Sequence, residues 1–181
     1  MQTLRPWLLF VAVACATVSL HAREAVPPAQ VIVEGAGPLR LRSQAHRTHL
    51  LGTVDLYTIA LYSDGAVDRR RLASAEVAKA LRIEVSYADD VRRGVALAWQ
   101  RELLPPLEPS ASAHLERSFA SLRTGGVVQI DYEPARGTSV RINKAVALSA
   151  AHHDLMLAFL DHWLGDRPVS EAMKRTLLDA S

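Results

Sequence analysis

An arginine and two tyrosines lie close together around the longest apolar run that follows residue 22. Arg47 and Thr48 precede this run, residues 50–63, which contains Tyr57 and Tyr62. A guanidinium at the rim of an apolar cavity, with phenols nearby, is suited to binding a ligand carboxylate. An exposed arginine on a loop would explain Arg47 equally well. The sequence leaves both interpretations open.

The histidines do not have the spacing of a metal site. His152, His153 and His162 lie near one predicted helix, but adjacent histidines point in different directions, and the last two are nine residues apart. His46 and His49 fall in a region predicted to be extended, where a separation of three residues puts them on opposite faces. No carboxylate or cysteine completes a ligand set. We therefore predict exposed histidines and no metal.

The signatures of several enzyme classes are absent from the sequence. It contains no GxSxG, HExxH or CxxC motif and no phosphate-binding loop. Ser86, Tyr87, Asp89 and Asp90 could support acid–base chemistry, but a strand end followed by a helix cap accounts for all four. The sequence therefore predicts no cofactor and no catalytic residue.

The apolar run 50–63 is the segment that must position the groups around Arg47. Alternating residues of a strand face opposite sides of a sheet, and both sets in this run are largely apolar. One side carries Tyr57, Ile59 and Leu61, and the other carries Leu56, Thr58, Ala60 and Tyr62. Such a strand is covered on both sides. We expect it to be central in its sheet, with helices over one face.

The other segments follow the order strands, two helices, a strand hairpin and two helices. Strands are predicted at residues 31–33, 39–43, 81–87, 127–132, 139–142 and 145–148. Helices are predicted from Asp89 or Asp90 to Leu104 and at 111–122, 153–164 and 170–178, and Ser74 could cap a turn over 75–78. This order predicts an α+β fold, a large antiparallel sheet with a helical layer on one face.

The N-terminus has the layout of a secretory signal peptide. Arg5 precedes an apolar core at residues 7–13, and small residues allow cleavage after Ala22 or Ala16. Either cut removes Cys15, the only cysteine, so the mature chain would have no disulfide. Two alternatives are a buried N-terminal helix and a lipid anchor on Cys15. We predict a periplasmic or secreted protein.

Length and composition indicate one ordinary globular domain. The 181 residues are 49% hydrophobic and 22% charged, with a net charge of +2, so composition gives no reason to expect a nucleic acid or anionic membrane partner. We predict a signal peptide over residues 1–22, a flexible N-terminal lead over 23–38 and the domain over 39–181.

Four motifs together resemble the chalcone isomerase-like family, and most closely its bacterial exported branch. Arg47-Thr48 followed by LYTIALY is similar to the family's R-T…VYxAALY, and WQREL at 99–103 is similar to its AWxEGL helix. Residues 127–142 are similar to its GDxVxLDY…GTxVxVN hairpin. The most specific match is FLDHWLGDRPVSEAMKRTLL at 159–178, similar to xxxIWLGDxPVDxxLKxxLL.

The resemblance implies an open-faced β-sandwich with a cleft between a large antiparallel sheet and its helices. Enzymatic plant members cyclise chalcones, and non-enzymatic members bind fatty acids. Arg47 matches the family's site arginine and Tyr87 its tyrosine, whereas Tyr57 replaces a threonine, Gly94 an asparagine and His162 a hydroxyl residue. Most of the polar set that orients a chalcone is therefore replaced, which argues against isomerase activity.

Three functions follow from these observations. The first is an exported, non-catalytic protein that binds a fatty acid or similar amphipathic carboxylate through Arg47, Tyr57, Tyr87 and His162. The second is an intramolecular lyase acting on a chalcone-like phenol, with Tyr57 or Tyr87 beside the reacting oxygen. The third is a cell-envelope interaction module whose cleft is filled by its own side chains. The sequence does not predict the oligomeric state.

Overall fold

The computed structural model describes residues 26–49, 54–65, 68–86 and 104–179, and within them seven strands form one antiparallel sheet. Each strand pairs with the next along the chain. The strands are β1 Gln30–Val33, β2 Gly37–His49, β3 Val54–Ser63, β4 Lys79–Val85, β5 Val127–Glu133, β6 Gly137–Ile142 and β7 Ala145–Ala150. The helices are α1 Arg69–Ala73, α2 Pro109–Phe119, α3 Asp154–Leu164 and α4 Glu171–Asp179. The predicted α+β class with a large antiparallel sheet is confirmed.

Both faces of β3 are covered, as its apolar alternation predicts. The strand lies inside the sheet between β2 and β4, and residues 56–63 are all buried. Tyr57, Ile59 and Leu61 belong to the large core beneath the helices. Ala60 and Tyr62 belong to a second, smaller core on the opposite face. The second core exists because the sheet curls until β1 contacts β4 and β5.

Helices α3 and α4 form the layer over the first face. Helix α3 is the most apolar, and α4 packs against β2. Their buried side chains are Leu155, Met156, Phe159, Leu160, Trp163, Leu164, Met173 and Leu177. Full burial of one such large apolar side chain stabilises the fold by roughly 1.5–3 kcal/mol, so this layer holds much of the domain's stability.

Three details differ from the sequence predictions or lie beyond the described residues. The flexible lead predicted over 23–38 does not extend past Ala29, because β1 pairs with β2 and buries Val31 and Val33. Helix α1 begins before Ser74, because the Asp68 carboxylate accepts from the Arg71 amide at 2.8 Å, and Ser74 caps the short turn that follows, since its Oγ accepts from the Glu76 amide at 3.1 Å. The helix predicted from Asp89 or Asp90 to Leu104 lies outside the described residues except at its last position.

Candidate functional site

Arg47 and Tyr57 are neighbours across the pair β2–β3. Their Cα atoms are register partners, and Ala45 pairs in the same way with Ile59. Because alternate strand residues share a face, Arg47 lies on the helix-facing side of the sheet with these apolar residues. Tyr57 is 1% exposed and Arg47 is half-buried. The arrangement places a half-buried arginine next to a buried tyrosine, in neighbouring strands at the end of the large core.

The backbone next to Arg47 is irregular. The register between β2 and β3 shifts between Arg47 and Thr48, as at a β-bulge. Bulges re-aim side chains and are common beside functional sites. On the other side of β3, Tyr57 pairs with Val85, and the Ser86 amide donates to the Leu56 carbonyl at 3.0 Å. Tyr87, the next residue, lies outside the described residues, so its predicted role stays a prediction.

His162 occupies a different part of the helical layer. Its ring meets the buried Trp163 ring edge-on at a centroid distance of 5.0 Å. The half-buried imidazole lines a depression of about 390 Å³, together with Leu104, Leu107 and Glu116. Neither Arg47 nor Tyr57 is among the described residues that line this depression. The structure therefore brings together two of the four predicted ligand-binding residues, Arg47 and Tyr57.

A second apolar opening lies between α1 and α3, and sequence reasoning missed it. This α1–α3 cleft has a volume of about 340 Å³. Its floor consists of leucines: Leu72, Leu157, Leu160 and Leu164. Arg69 stands at its rim, where Nη2 donates to the Leu164 carbonyl at 3.1 Å and to the Asp166 carboxylate at 3.3 Å. The cleft is at the α1 end of β3, which is the end opposite Tyr57.

Lys79 is a fully buried cation beneath α1. Its Nζ donates to the carbonyl oxygens of Leu72 and Ser74 at 2.8 and 2.6 Å, and it lies 2.8 Å from His153 Nε2. The ammonium also lies 4.9 Å from the centre of the Tyr132 ring, within cation–π range. One side chain therefore joins α1, β5 and the residue before α3. Alternation with Leu81 and Ile83 predicts this inward direction, because Lys79 shares their face.

The surroundings of Lys79 lower the pKa values of both Lys79 and His153. Burial lowers the pKa of Lys79 to about 8. Burial, and then the charge of Lys79, lowers the pKa of His153 below its usual 6.5. An ammonium at neutral pH can donate to His153 only if that imidazole nitrogen carries no proton. The pair is therefore a charged lysine with a neutral histidine near pH 7.

We expect the domain to lose stability as the pH falls through 6.5. A histidine whose folded pKa is depressed contributes stability that is complete above its unfolded pKa of about 6.5 and is lost at lower pH. Urea unfolding at pH 7.5 and 5.5 measures the loss. In His153→Gln the amide oxygen still accepts from Lys79 but does not titrate. The free energy of unfolding should therefore differ less between pH 7.5 and pH 5.5 in this variant than in the wild type. The exposed control His114→Gln should lose as much free energy of unfolding between pH 7.5 and pH 5.5 as the wild type. An equal loss in all three proteins would contradict this account.

No three His, Cys, Asp or Glu side chains in the described part of the chain are placed to hold a metal ion. Within the same residues, no helix is both long enough and apolar enough to cross a membrane.

Comparisons with known proteins agree with this architecture. A family model described as chalcone isomerase-like matches residues 22–179. A crystal structure of a fatty-acid binding protein from Arabidopsis thaliana is similar, with a TM-score of 0.50 and 19% sequence identity. The similarity covers 83% of this chain and 96% of that chain, and at this identity it supports the fold alone. No curated protein sequence matches the chain significantly.

Proposed function

The chain belongs to the chalcone isomerase-like family, and from this premise we propose that it is a non-catalytic protein that binds an amphipathic carboxylate such as a fatty acid. Arg47 would bind the carboxylate, assisted by Tyr57 and Tyr87, whereas His162 lines a separate depression and would take no part. The alkyl chain would lie between the sheet and the helices. The Arabidopsis protein of similar fold is a fatty-acid binding protein, which supports this ligand class.

The observation that carries the proposal is the position of Arg47. A half-buried arginine pairs with a fully buried tyrosine on the apolar side of the sheet. Half-burial raises the strength of a guanidinium–carboxylate pair above its value in water, because the effective dielectric constant is lower. The planar guanidinium can also donate two parallel hydrogen bonds to a carboxylate. An alcohol of the same chain length offers neither interaction.

The proposal predicts how affinity depends on the ligand. Each buried CH₂ group contributes about 0.8 kcal/mol, so dodecanoate should bind about 15-fold more tightly than decanoate. Dodecanol should bind more weakly than dodecanoate, because it lacks the charge. Calorimetric titration of delipidated protein below the micellar concentration measures all three. Failure of dodecanoate to bind saturably, or equal affinity for dodecanol, would refute the proposal.

An enzymatic alternative uses the same two residues. A buried tyrosine that pairs with an arginine across the sheet could position a proton near a reacting oxygen, so Tyr57 could serve an intramolecular lyase. A spectrophotometric assay with a chalcone tests this alternative. Loss of absorbance at an enzyme-dependent rate would support it, whereas a constant absorbance would remove it.

The cellular setting is also a proposal. We propose export to the periplasm or beyond, with cleavage after Ala22 or Ala16. The intact mass of protein secreted by its native host decides between them, and a mass that includes the first residues would contradict export with cleavage. A cell-envelope partner, the third function considered, would be recovered in cross-linking of intact cells.

A further inference from the structure

A polar groove lies on the face of the sheet that the helices do not cover. It has a volume of about 500 Å³, and its polar lining includes Arg82, Gln129, Arg141 and Lys144. Arg82 pairs with Gln129, and Gln129 pairs with Arg141, in the registers of three neighbouring strands. Neighbouring strands are about 4.8 Å apart, so the two arginines flank the glutamine in one row across the sheet. The curl of the sheet makes this face concave.

The two arginines of this row are partly sequestered from solvent. Each side chain is 21% exposed. Arg82 Nη2 lies 3.2 Å from Glu84, and Arg141 contacts Asp131, which also accepts from Gln129 at 2.8 Å. Each guanidinium carries five N–H donors, so these contacts leave several donors over. In the described part of the chain, the buried Nε of Arg82 has no acceptor.

Cations outnumber carboxylates among the described residues that line the groove, and Glu84 and Asp131 beside it neutralise part of the charge of the two arginines. Among the described residues that line it, Glu34 is the only carboxylate, and Arg136 lies 2.5 Å from that carboxylate. Lys144 adds a third cation to the two arginines. A ligand could also make apolar contact in the groove, because Ile32 lines it and is 68% exposed. The lining thus combines cations with one exposed aliphatic side chain.

The backbone of Lys144, at the edge of the groove, has a strained conformation. It forms the two-residue turn between β6 and β7 with Asn143, and both have positive φ, at 76° and 49°. A turn of this type strongly favours glycine at the second position. Asn143 connects the turn to β5 by two hydrogen bonds. Its side-chain Oδ1 accepts from the Val127 backbone amide at 2.9 Å, and its backbone amide donates to the Val127 carbonyl at 2.8 Å. A lysine at this position suggests that its charge has a use.

We propose that this groove binds a small molecule with a carboxylate or phosphate group. Arg82, Arg141 and Lys144 would hold the oxyanion, and Ile32 and Val127 would contact the rest of the molecule. The site is on the opposite face of the sheet from Arg47 and Tyr57. It therefore does not depend on the fatty-acid proposal, and the two can fail separately.

Titrations of the wild-type protein with succinate and with inorganic phosphate test the groove. Both are followed by NMR at constant ionic strength, with chloride as the reference anion. We expect saturable shifts of the Arg82, Gln129 and Lys144 amides with at least one of the two probes, and the probe that binds identifies the oxyanion. No saturable shift with either probe, or equal shifts with chloride, would overturn the proposal.

Variants of the exposed turn separate binding from structure. Lys144→Gln should weaken oxyanion binding about fivefold or more, whereas Arg175→Gln, at an exposed arginine on α4, should not. Lys144→Gly should weaken binding to the same extent while raising the unfolding midpoint by about 2–4 °C, since glycine relieves the positive φ. Dodecanoate binding should be unchanged in both Lys144 variants. Unchanged oxyanion affinity in these variants would mean that Lys144 is not part of a site, and would overturn the proposal.

Discussion

Replacement of Lys79 by methionine is expected to lower the free energy of unfolding by about 3 kcal/mol. Methionine fills a similar volume but donates no hydrogen bond. The carbonyl oxygens of Leu72 and Ser74, together with His153, would then lose the donor that now serves them. Each buried acceptor left without a partner costs about 1–3 kcal/mol. Burial of the ammonium is itself unfavourable and lowers the pKa of Lys79 to about 8. Methionine removes this unfavourable burial, which offsets part of the cost of the unpaired acceptors.

Thermal or urea unfolding measures this loss. For a domain of this size, about 3 kcal/mol corresponds to a fall in Tm of about 6–12 °C. Lys174→Met is a matched control, because Lys174 Nζ donates to a single carbonyl, that of Gly165 at 2.6 Å, from a half-buried position. The control should lose less than about 1 kcal/mol. If the two variants lose equal amounts, the buried ammonium does not hold α1 on the sheet.

Replacement of Arg47 by glutamine is expected to weaken dodecanoate binding about 10- to 100-fold. A hydrogen bond between charged groups contributes about 1.5–3 kcal/mol, and 1.4 kcal/mol is a factor of ten in affinity. Binding of dodecanol should not change, because an alcohol makes no charged pair with the arginine. The dodecanoate affinity of Arg47→Lys should lie between those of the wild type and Arg47→Gln, since lysine keeps the charge but cannot donate two parallel hydrogen bonds. Calorimetry with both ligands separates the head-group contribution from that of the chain.

A second arginine of β2 supplies the control for Arg47. Arg40 is exposed on the same strand and pairs with Ser63, at the end of β3 away from Tyr57, so Arg40→Gln removes the same charge at a distance from the proposed carboxylate site. Its dodecanoate affinity should match that of the wild type. If Arg40→Gln and Arg47→Gln weaken binding equally, the effect is one of net charge. In that case Arg47 has no specific role as the carboxylate ligand.

Periodicity was sufficient to predict the fold wherever a segment buried its side chains in a regular pattern. The alternation of Tyr57, Ile59 and Leu61 indicated an interior strand, and β3 is one. The apolar content of residues 153–164 likewise predicted α3. Short segments were less predictable, because one capping contact decides them. The Asp68 carboxylate, for example, determines where α1 begins, whereas the sequence pattern indicated only the cap at Ser74.

The sites were harder to predict, because each is assembled by the curl of the sheet or by contacts between distant segments. Strand pairing placed Arg47 beside Tyr57, which the sequence suggested only through their closeness along the chain. The α1–α3 cleft joins residues nearly a hundred positions apart, so no local pattern indicates it. The groove along Arg82, Gln129 and Arg141 needs the register of three strands and the curl that brings β1 across them. No motif in the sequence encodes either.

A crystal structure of the protein grown with dodecanoate tests the central claim most directly. The account predicts the carboxylate within hydrogen-bonding distance of the Arg47 guanidinium, with the alkyl chain running between the sheet and the helices. Dodecanoate bound instead in the α1–α3 cleft with its carboxylate at Arg69, or a helix–sheet interface closed by side chains around Arg47 with no ligand in it, would contradict the account.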